Sequence, residues 1–224
     1  IVVIPVFNEE KIISKVIEQT LLGTKDIKKK IILINDGSKD KSLEEINQYK
    51  ENEDIILINK TNEGHGPTLI RGYKEALKFN PKYIFQMDSD NQIKFSEFIK
   101  IYQLKDEYDL IIGKRFQRSD PYIRIVISKI LRLIIAVFHQ VWIIDSNSPF
   151  RLMSNRFLRE NINKSQNSIV PNIILSILAA KNCKIKFLKV NHNRRETGKP
   201  SIVKLKLFNF CIKSFRDIIL LKRW

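Results

Sequence analysis

Cysteine is nearly absent from this chain: Cys183 and Cys211 are the only two in 224 residues. They fit no metal-ligand spacing and no disulfide framework, so a reducing compartment is the simpler setting. Histidine is almost as scarce. His65, His139 and His192 are scattered, no zinc motif includes them, and each is expected to be an ordinary surface or core residue. No uninterrupted run of about 20 apolar residues occurs, so no segment reads as a good membrane span. There is no helix-turn-helix, RNP or zinc-finger pattern, and lysine is spread along the chain, which argues against a nucleic-acid-binding module. Internal repeats and low-complexity blocks are also missing. The chain opens at Ile1 inside an apolar run and without Met, which points to a trimmed N-terminus and leaves room for a lost targeting segment.

What is present is hydrophobic residue and positive charge. A hydrophobic fraction of 43% supports a real core and excludes global disorder. Net charge is +16, from 40 Lys and Arg against 24 Asp and Glu. Such a surface attracts nucleic acid, anionic lipid or phosphorylated substrates, and the sign alone does not choose among them.

The hydrophobic pattern gives the order of elements. Ile1 to Val6, Ile31 to Ile34, Ile55 to Ile58, Tyr83 to Met87 and Leu110 to Ile112 read as buried strands. Between them, Glu9 to about Leu22 and Pro67 to Phe79 have helical spacing, and Ser38 or Asp40 can cap a further helix. Continuous apolar strands alternating with helices imply a mostly parallel sheet covered on both faces. Ligands of such sheets sit beyond the carboxyl ends of the strands, where Asn8, Asp36, Gly64 and Asp88 would meet.

Asp88-Ser89-Asp90-Asn91-Gln92 is the most informative stretch. Two carboxylates at i and i+2 stand at a strand's carboxyl end, with an amide oxygen two residues on. Hard divalent cations such as Mg²⁺ or Mn²⁺ take oxygen ligands and keep positions for substrate phosphates. The plainer reading is a pair of acids in a strand-to-helix turn. Asp36 can accept from a base N–H or simply cap a helix. Gly64 and Gly66 let backbone approach a ligand. Arg115, Arg124, Arg151, Arg194 and Arg195 are fixed charges amid apolar segments, suited to phosphate oxygens or to solvation.

Several motifs together resemble family 2 glycosyltransferases of the GT-A fold. Pro5-Val6-Phe7-Asn8-Glu9 is similar to the family's nucleotide-contacting loop. Asn35-Asp36-Gly37-Ser38-Lys39-Asp40 resembles its Asp-Asp-Gly-Ser-x-Asp element, with Asn35 for the first Asp. Asn62-Glu63-Gly64-His65-Gly66 resembles Asn-x-Gly-x-Gly, and Asp88-Ser89-Asp90 the metal motif. Gln92, Gly113-Lys114-Arg115, Arg124 with Ser128, Asp145 to Leu152 and Arg195 to Ser201 resemble the polyprenyl-phosphate branch, the dolichol- or polyprenyl-phosphate mannosyl- and glucosyltransferases. Pro149 departs from that branch's Ser-Gly-Phe-Arg.

The resemblance implies an α/β GT-A domain over residues 1–201, Rossmann-like, with a basic amphipathic helix over 202–224. It implies an inverting, metal-dependent hexosyltransferase using a nucleotide-diphosphate sugar and a polyprenyl phosphate. Pro5, Phe7, Asn8, Glu9, Asp36, Gly64, Asp88 and Ser89 would bind the nucleotide sugar. Asp88, Asp90 and Gln92 would hold Mg²⁺ or Mn²⁺; Asp88, Asp90, Arg115 and Arg124 would be catalytic. Arg115, Arg124, Arg151, Arg195 and Ser201 would receive the acceptor phosphate. The other reading is a family 2 enzyme acting on a sugar or lipid-linked hydroxyl in polysaccharide synthesis, with Asp145 or Asp120 as base.

The second half changes character. Ile123 to Ile144 is apolar but broken by Arg124, Lys129, Arg132 and His139, which fits an interfacial or packed helix. Leu205, Phe208, Ile212, Phe215 and Ile219 recur at helical spacing, with Lys206 and Lys213 on one flank. The expectation is a peripheral position on the cytoplasmic face of an anionic membrane, or anchoring by segments outside this chain; the alternative is a helix that covers the core.

Overall fold

The computed structural model describes residues 1–116, 122–194 and 204–221; for Tyr122, Arg124 and residues 204–209 it describes backbone alone. Its centre is a seven-stranded sheet: β1 (Val2–Val6), β2 (Ile31–Asp36), β3 (Ile55–Lys60), β4 (Tyr83–Gln86), β5 (Leu110–Phe116), β6 (Arg151–Ser154) and β7 (Ile185–Asn191). The spatial order is β3-β2-β1-β4-β6-β5-β7, and only β6 runs antiparallel. The helices are α1 (Ile13–Gly23), α2 (Ser42–Asn47), α3 (His65–Lys78), the short α4 (Phe98–Tyr102), α5 (Tyr122–His139), α6 (Asn155–Ser165), α7 (Pro171–Asn182) and α8 (Lys204–Leu220).

Both faces of the central strands are buried, which is why β1 and β2 read as unbroken apolar runs. On one face, Val2, Ile4, Ile31 and Leu33 meet Ile13, Val16 and Ile17 of α1. Phe85 joins Phe95, Phe98 and Phe150 there in edge-on ring contacts with centroids 4.7–6.0 Å apart. On the other, Val3, Ile32, Ile34 and Ile84 meet Leu69, Tyr73 and Ala76 of α3 and Phe157 and Leu158 of α6. A third cluster joins Ile135 of α5, Ile173, Ile174 and Ile177 of α7, and Ile218 and Leu221 at the end of α8.

Several expectations change in detail. α1 begins at Ile13 and not at Glu9, because the Glu9 carbonyl accepts from Ile12 and Ile13 N–H and closes a turn first. β2, β3 and β5 run on to Asp36, Lys60 and Phe116, so Asp36 is the last strand residue. β6 and β7 have no counterpart among the strands that the hydrophobic pattern gives. In α8, Ser214, Ile218 and Leu221 face the body, whereas Ile212 and Ile219 of the expected stripe face outward, 51% and 40% exposed. The helix therefore covers core with one side and shows apolar side chains on another. Leu205, Phe208 and Lys206 lie where only backbone is described. Among the described residues no helix is long and apolar enough to cross a membrane.

Candidate active site

The ends of β1 and β2 are tied to each other. Asn8 takes a left-handed φ of 57°. Its N–H donates to Ser38 Oγ at 3.0 Å, and its Oδ1 accepts from Lys39 N–H at 2.8 Å. Glu9 N–H donates to Ser42 Oγ at 2.7 Å. Partial burial pushes the Asp40 carboxyl upward, but hydrogen bonds from Ser42 and Glu10 overcome it and hold the pKa below the ordinary value. Of the sequence-predicted nucleotide contacts, Pro5 and Glu9 are buried, Phe7 is half-buried and Asn8 is exposed.

Asp36 is 4% exposed. Its oxygens accept from Lys60 Nζ (2.5 Å), Glu63 N–H (3.0 Å) and Gly64 N–H (3.0 Å). A carboxylate has about four acceptor sites, so any base contact would share a group that already shapes the loop after β3. The two glycines of that loop differ. Gly64 has a φ of 93°, and a Cβ there would meet nothing within 4 Å, so its backbone is open to a ligand. A Cβ on Gly66 would lie 2.4 Å from the Ile169 carbonyl oxygen. Gly66 is small to admit the chain before α7, which corrects its reading as a ligand contact.

β4 ends at the acidic motif. The Asp88 side chain is 32% exposed, with Oδ1 3.8 Å from His65 Nε2 and 3.5 Å from the Gln86 amide nitrogen. Asp90 Oδ1 accepts from Gln92 N–H at 3.1 Å, around Asn91 in a left-handed φ of 55°. Ser89 is buried. Gln92 Nε2 donates to the Asn193 carbonyl at 3.2 Å, and Asn193 N–H returns a bond to the Gln92 carbonyl at 2.8 Å. Asp88, Asp90 and Gln92 offer only oxygen to a cation, which suits Mg²⁺ or Mn²⁺. Among the described residues no group of three or more His, Cys, Asp or Glu gathers to hold a metal. An ion here would complete its shell with water or substrate oxygen, which is the habit of those two ions.

Beyond β4 lies a buried polar network that sequence reasoning missed. Tyr73 OH shares its single proton between Gln86 Oε1 (3.1 Å) and Asn172 Oδ1 (3.0 Å), and Asn172 Nδ2 donates to Gln86 Oε1 (3.0 Å). The available signal was a glutamine inside an apolar strand. Arg151, paired with Gln86 across β4 and β6, is wholly buried. Its guanidinium donates to the carbonyls of Ser146, Ser148 and Asn172 and to Ser176 Oγ. Arg151 therefore does not reach an acceptor, because burial and these bonds commit it to the scaffold.

Arg115 sits at the end of β5. Its backbone N–H and Nε–H donate to Asp145 Oδ2 (3.1 and 3.0 Å) and its Nη2 to Asp145 Oδ1 (2.8 Å). Both side chains are largely buried. Past this pair, Lys94, Glu97, Phe116, Asn191, His192 and Arg194 line a polar cavity of about 580 Å³. The Arg124 side chain, Arg195, Ser201 and Asp120 lie outside the described residues.

The family model described as glycosyl transferase family 2 matches residues 1–166. The undecaprenyl-phosphate 4-deoxy-4-formamido-L-arabinose transferase of Proteus mirabilis is 27% identical over 214 residues, covering 93% of this chain and 64% of that protein. A dolichyl-phosphate beta-glucosyltransferase of Trichomonas vaginalis is 32% identical over 132 residues, covering 52% of this chain and 40% of that one. The chain thus spans under two thirds of these curated relatives. Glucosyl-3-phosphoglycerate synthase from Mycobacterium tuberculosis, crystallised with Mn²⁺, UDP and glucosyl-3-phosphoglycerate, shares the fold with a TM-score of 0.73 at 16% identity, over 99% of this chain and 79% of that one. Staphylococcus aureus TarS 1–349, crystallised with UDP-GlcNAc, gives a TM-score of 0.65 at 18% identity, over 98% of this chain and 66% of that one. The sheet order and the match over residues 1–166 lead to one assignment: the chain belongs to glycosyl transferase family 2 and has the GT-A fold.

Proposed function

We propose that this protein moves a hexose from a nucleotide-diphosphate sugar to a polyprenyl phosphate, with inversion and with a divalent cation. The observation that carries the reading is the shared carboxyl-end edge of the sheet. Asn8, Asp36, Gly64, Asp88 and Asp90 stand at neighbouring strand ends, and Arg115 stands two strands farther on, held by Asp145. The acidic motif thus lies between a loop set suited to a nucleotide and a fixed cation suited to a phosphate. The Proteus and Trichomonas relatives, whose names specify undecaprenyl and dolichyl phosphate, support the acceptor class.

The chemistry follows from the acceptor. A polyprenyl phosphate is anionic at pH 7 and attacks the anomeric carbon without a base. The phosphate oxygen forms the new bond as the bond to the nucleotide diphosphate breaks, which inverts the centre. Asp88, Asp90 and Gln92 would hold the cation, which when bound neutralises the leaving diphosphate. The Gly64 backbone leaves room for the donor, and Arg115 orients the incoming phosphate. The hydroxyl-acceptor reading needs a base, and Asp145 is tied to Arg115 by two side-chain bonds and a backbone bond. That tie favours the phosphate acceptor.

A membrane position on the cytoplasmic face completes the reading. Ile130, Leu133, Val137 and Trp142 on or just after α5, with Ile212 and Ile219 on α8, are exposed apolar side chains. Lys129, Lys213 and Arg216 are exposed on the same helices, and Arg132 stacks over Trp142 with its Cζ 5.6 Å from the ring centroid. Transfer assays with polyprenyl phosphate vesicles, Mn²⁺ and a panel of nucleotide sugars test the proposal. Lipid-linked sugar is the expected product. Transfer to a sugar hydroxyl with none to the lipid phosphate would overturn it.

A further inference from the structure

We infer that Asp145 and Arg151 are positioning residues that fix the Arg115 guanidinium on the acceptor side of the crevice, an inference that rests on the acceptor proposed above. It begins with an unusual burial. Arg151 is 0% exposed, and no carboxylate of the described residues forms an ion pair with it. Desolvating a cation is expensive unless its donors are satisfied. Here they are met by oxygens of the loop before β6 and of α7. Nε reaches the Ser148 carbonyl at 3.0 Å; Nη2 reaches Ser146 and Ser148 carbonyls at 3.1 and 2.6 Å; Nη1 reaches the Asn172 carbonyl at 2.9 Å and Ser176 Oγ at 3.3 Å. Burial still pushes the guanidinium down to about 10, while the nearby charges of Asp145 and Asp88 favour its ionised form.

Those bonds staple the segment from Asp145 to Ser148. Ser176 Oγ adds a bond to the Ser146 carbonyl at 2.8 Å, and Ser148 Oγ one to the Gly113 carbonyl at 2.5 Å. Asp145 begins the stapled segment, with its carbonyl accepting from Ser148 N–H at 3.3 Å. Its carboxylate then grips Arg115 along the Nε–Nη2 edge. Asp88 and Asp145 both favour the ionised form of the buried Arg151, and Asp145 is also the ion-pair partner of Arg115. A planar guanidinium gripped on one edge cannot swing, so its charge is in place before substrate arrives. Asp145 is thereby a holder of the cation and not a proton acceptor.

The test uses the full chain with undecaprenyl phosphate vesicles, nucleotide sugar and Mn²⁺, comparing wild type with Asp145→Asn, Arg115→Lys, the double variant and Arg151→Lys. For Asp145→Asn, the acceptor KM should rise about 10-fold or more, the scale of one charge-assisted hydrogen bond, with donor KM and kcat changed little. The double variant should be no worse than Arg115→Lys alone, because both act through one group. Arg151→Lys, if it folds, should reproduce the acceptor effect. Loss of kcat in Asp145→Asn at unchanged acceptor KM would make Asp145 a base and overturn the inference, as would additive losses in the double variant. The ¹⁵Nε–H signal of Arg115 reads the grip without turnover: slow to exchange in wild type, lost in Asp145→Asn. Wild type that shows the signal but never uses a lipid phosphate would sink the proposed acceptor and leave the grip standing; a signal unchanged in Asp145→Asn would sink the grip itself.

Discussion

Asp88 and Asp90 close the same strand but are held differently. Asp90 bonds the N–H of Gln92 inside its own turn, whereas Asp88 looks toward His65 on α3 and Gln86 beneath it. Neither carboxylate supports the core, so Asp90→Asn should leave the melting temperature within a degree or two. The same variant should lose cation-dependent turnover. Full activity of Asp90→Asn, or activity indifferent to EDTA, would remove the metal from the mechanism. Tyr73 is the opposite case. It is fully buried, and burial pushes its phenol well above the usual range. Tyr73→Phe would strip a donor from Gln86 Oε1 and Asn172 Oδ1, and should cost about 1–3 kcal/mol in denaturant unfolding. A stable Tyr73→Phe would show the network to be expendable. The acids could be read from sequence because a short motif at a strand end has a chemical meaning. Tyr73, Asn172 and Arg151 could not, because what defines them is who they meet across the fold.

At the scale of elements, the loop after β3 and the start of α3 carry the clearest contrast. Gly64, at φ 93° and ψ 166°, occupies a region essentially reserved for glycine, yet a Cβ would clash with nothing. Gly64→Ala should therefore cost about 1–3 kcal/mol from backbone strain and disturb nucleotide-sugar binding. Gly66 lies within α3, and its Cβ would press into the backbone of Ile169 at 2.4–2.8 Å. Gly66→Ala should cost about 1–3 kcal/mol through overpacking, by forcing α3 from the chain leading into α7. Thermal melts with and without donor separate the two: donor rescue should be weakened in Gly64→Ala and kept in Gly66→Ala. Equal loss of rescue would contradict the assignment of Gly66 to packing. The first five strands were legible because burial on both faces leaves continuous apolar runs. β6 escaped because it is four residues long and opens with a buried arginine. β7, Ile185–Asn191, escaped because Lys186 and Lys189 interrupt its apolar residues on a half-exposed edge strand.

For the whole molecule, the question is what meets the outer side of α5 and α8. Sequence periodicity gives α8 one apolar stripe, and packing instead buries Ser214, Ile218 and Leu221 while Ile212 and Ile219 of that stripe stay outside. Ile218 and Leu221 enter the cluster with Ile135 and Ile173, and Asp217 accepts from Ser168 Oγ and Ile169 N–H. Removing α8 would therefore unravel part of the core, and a truncated chain would confuse folding with docking. Outward substitutions avoid this. Leu133 and Val137 are 59% and 64% exposed, so Leu133→Asp with Val137→Asp should leave stability nearly unchanged. If both side chains enter the lipid boundary, each contributes about 1–2 kcal/mol for the part still exposed, and each neighbouring Lys or Arg about 1 kcal/mol near an anionic surface. The double variant should bind anionic vesicles at least tenfold more weakly in co-sedimentation, and wild-type binding should weaken as salt is raised. Ile99→Asp, on α4 and 53% exposed, is the matched control and should bind as wild type does. Equal binding by the double variant and wild type would show that this face does not meet the membrane. Equal loss in the Ile99→Asp control would mean that added negative charge, and not this face, explains the effect.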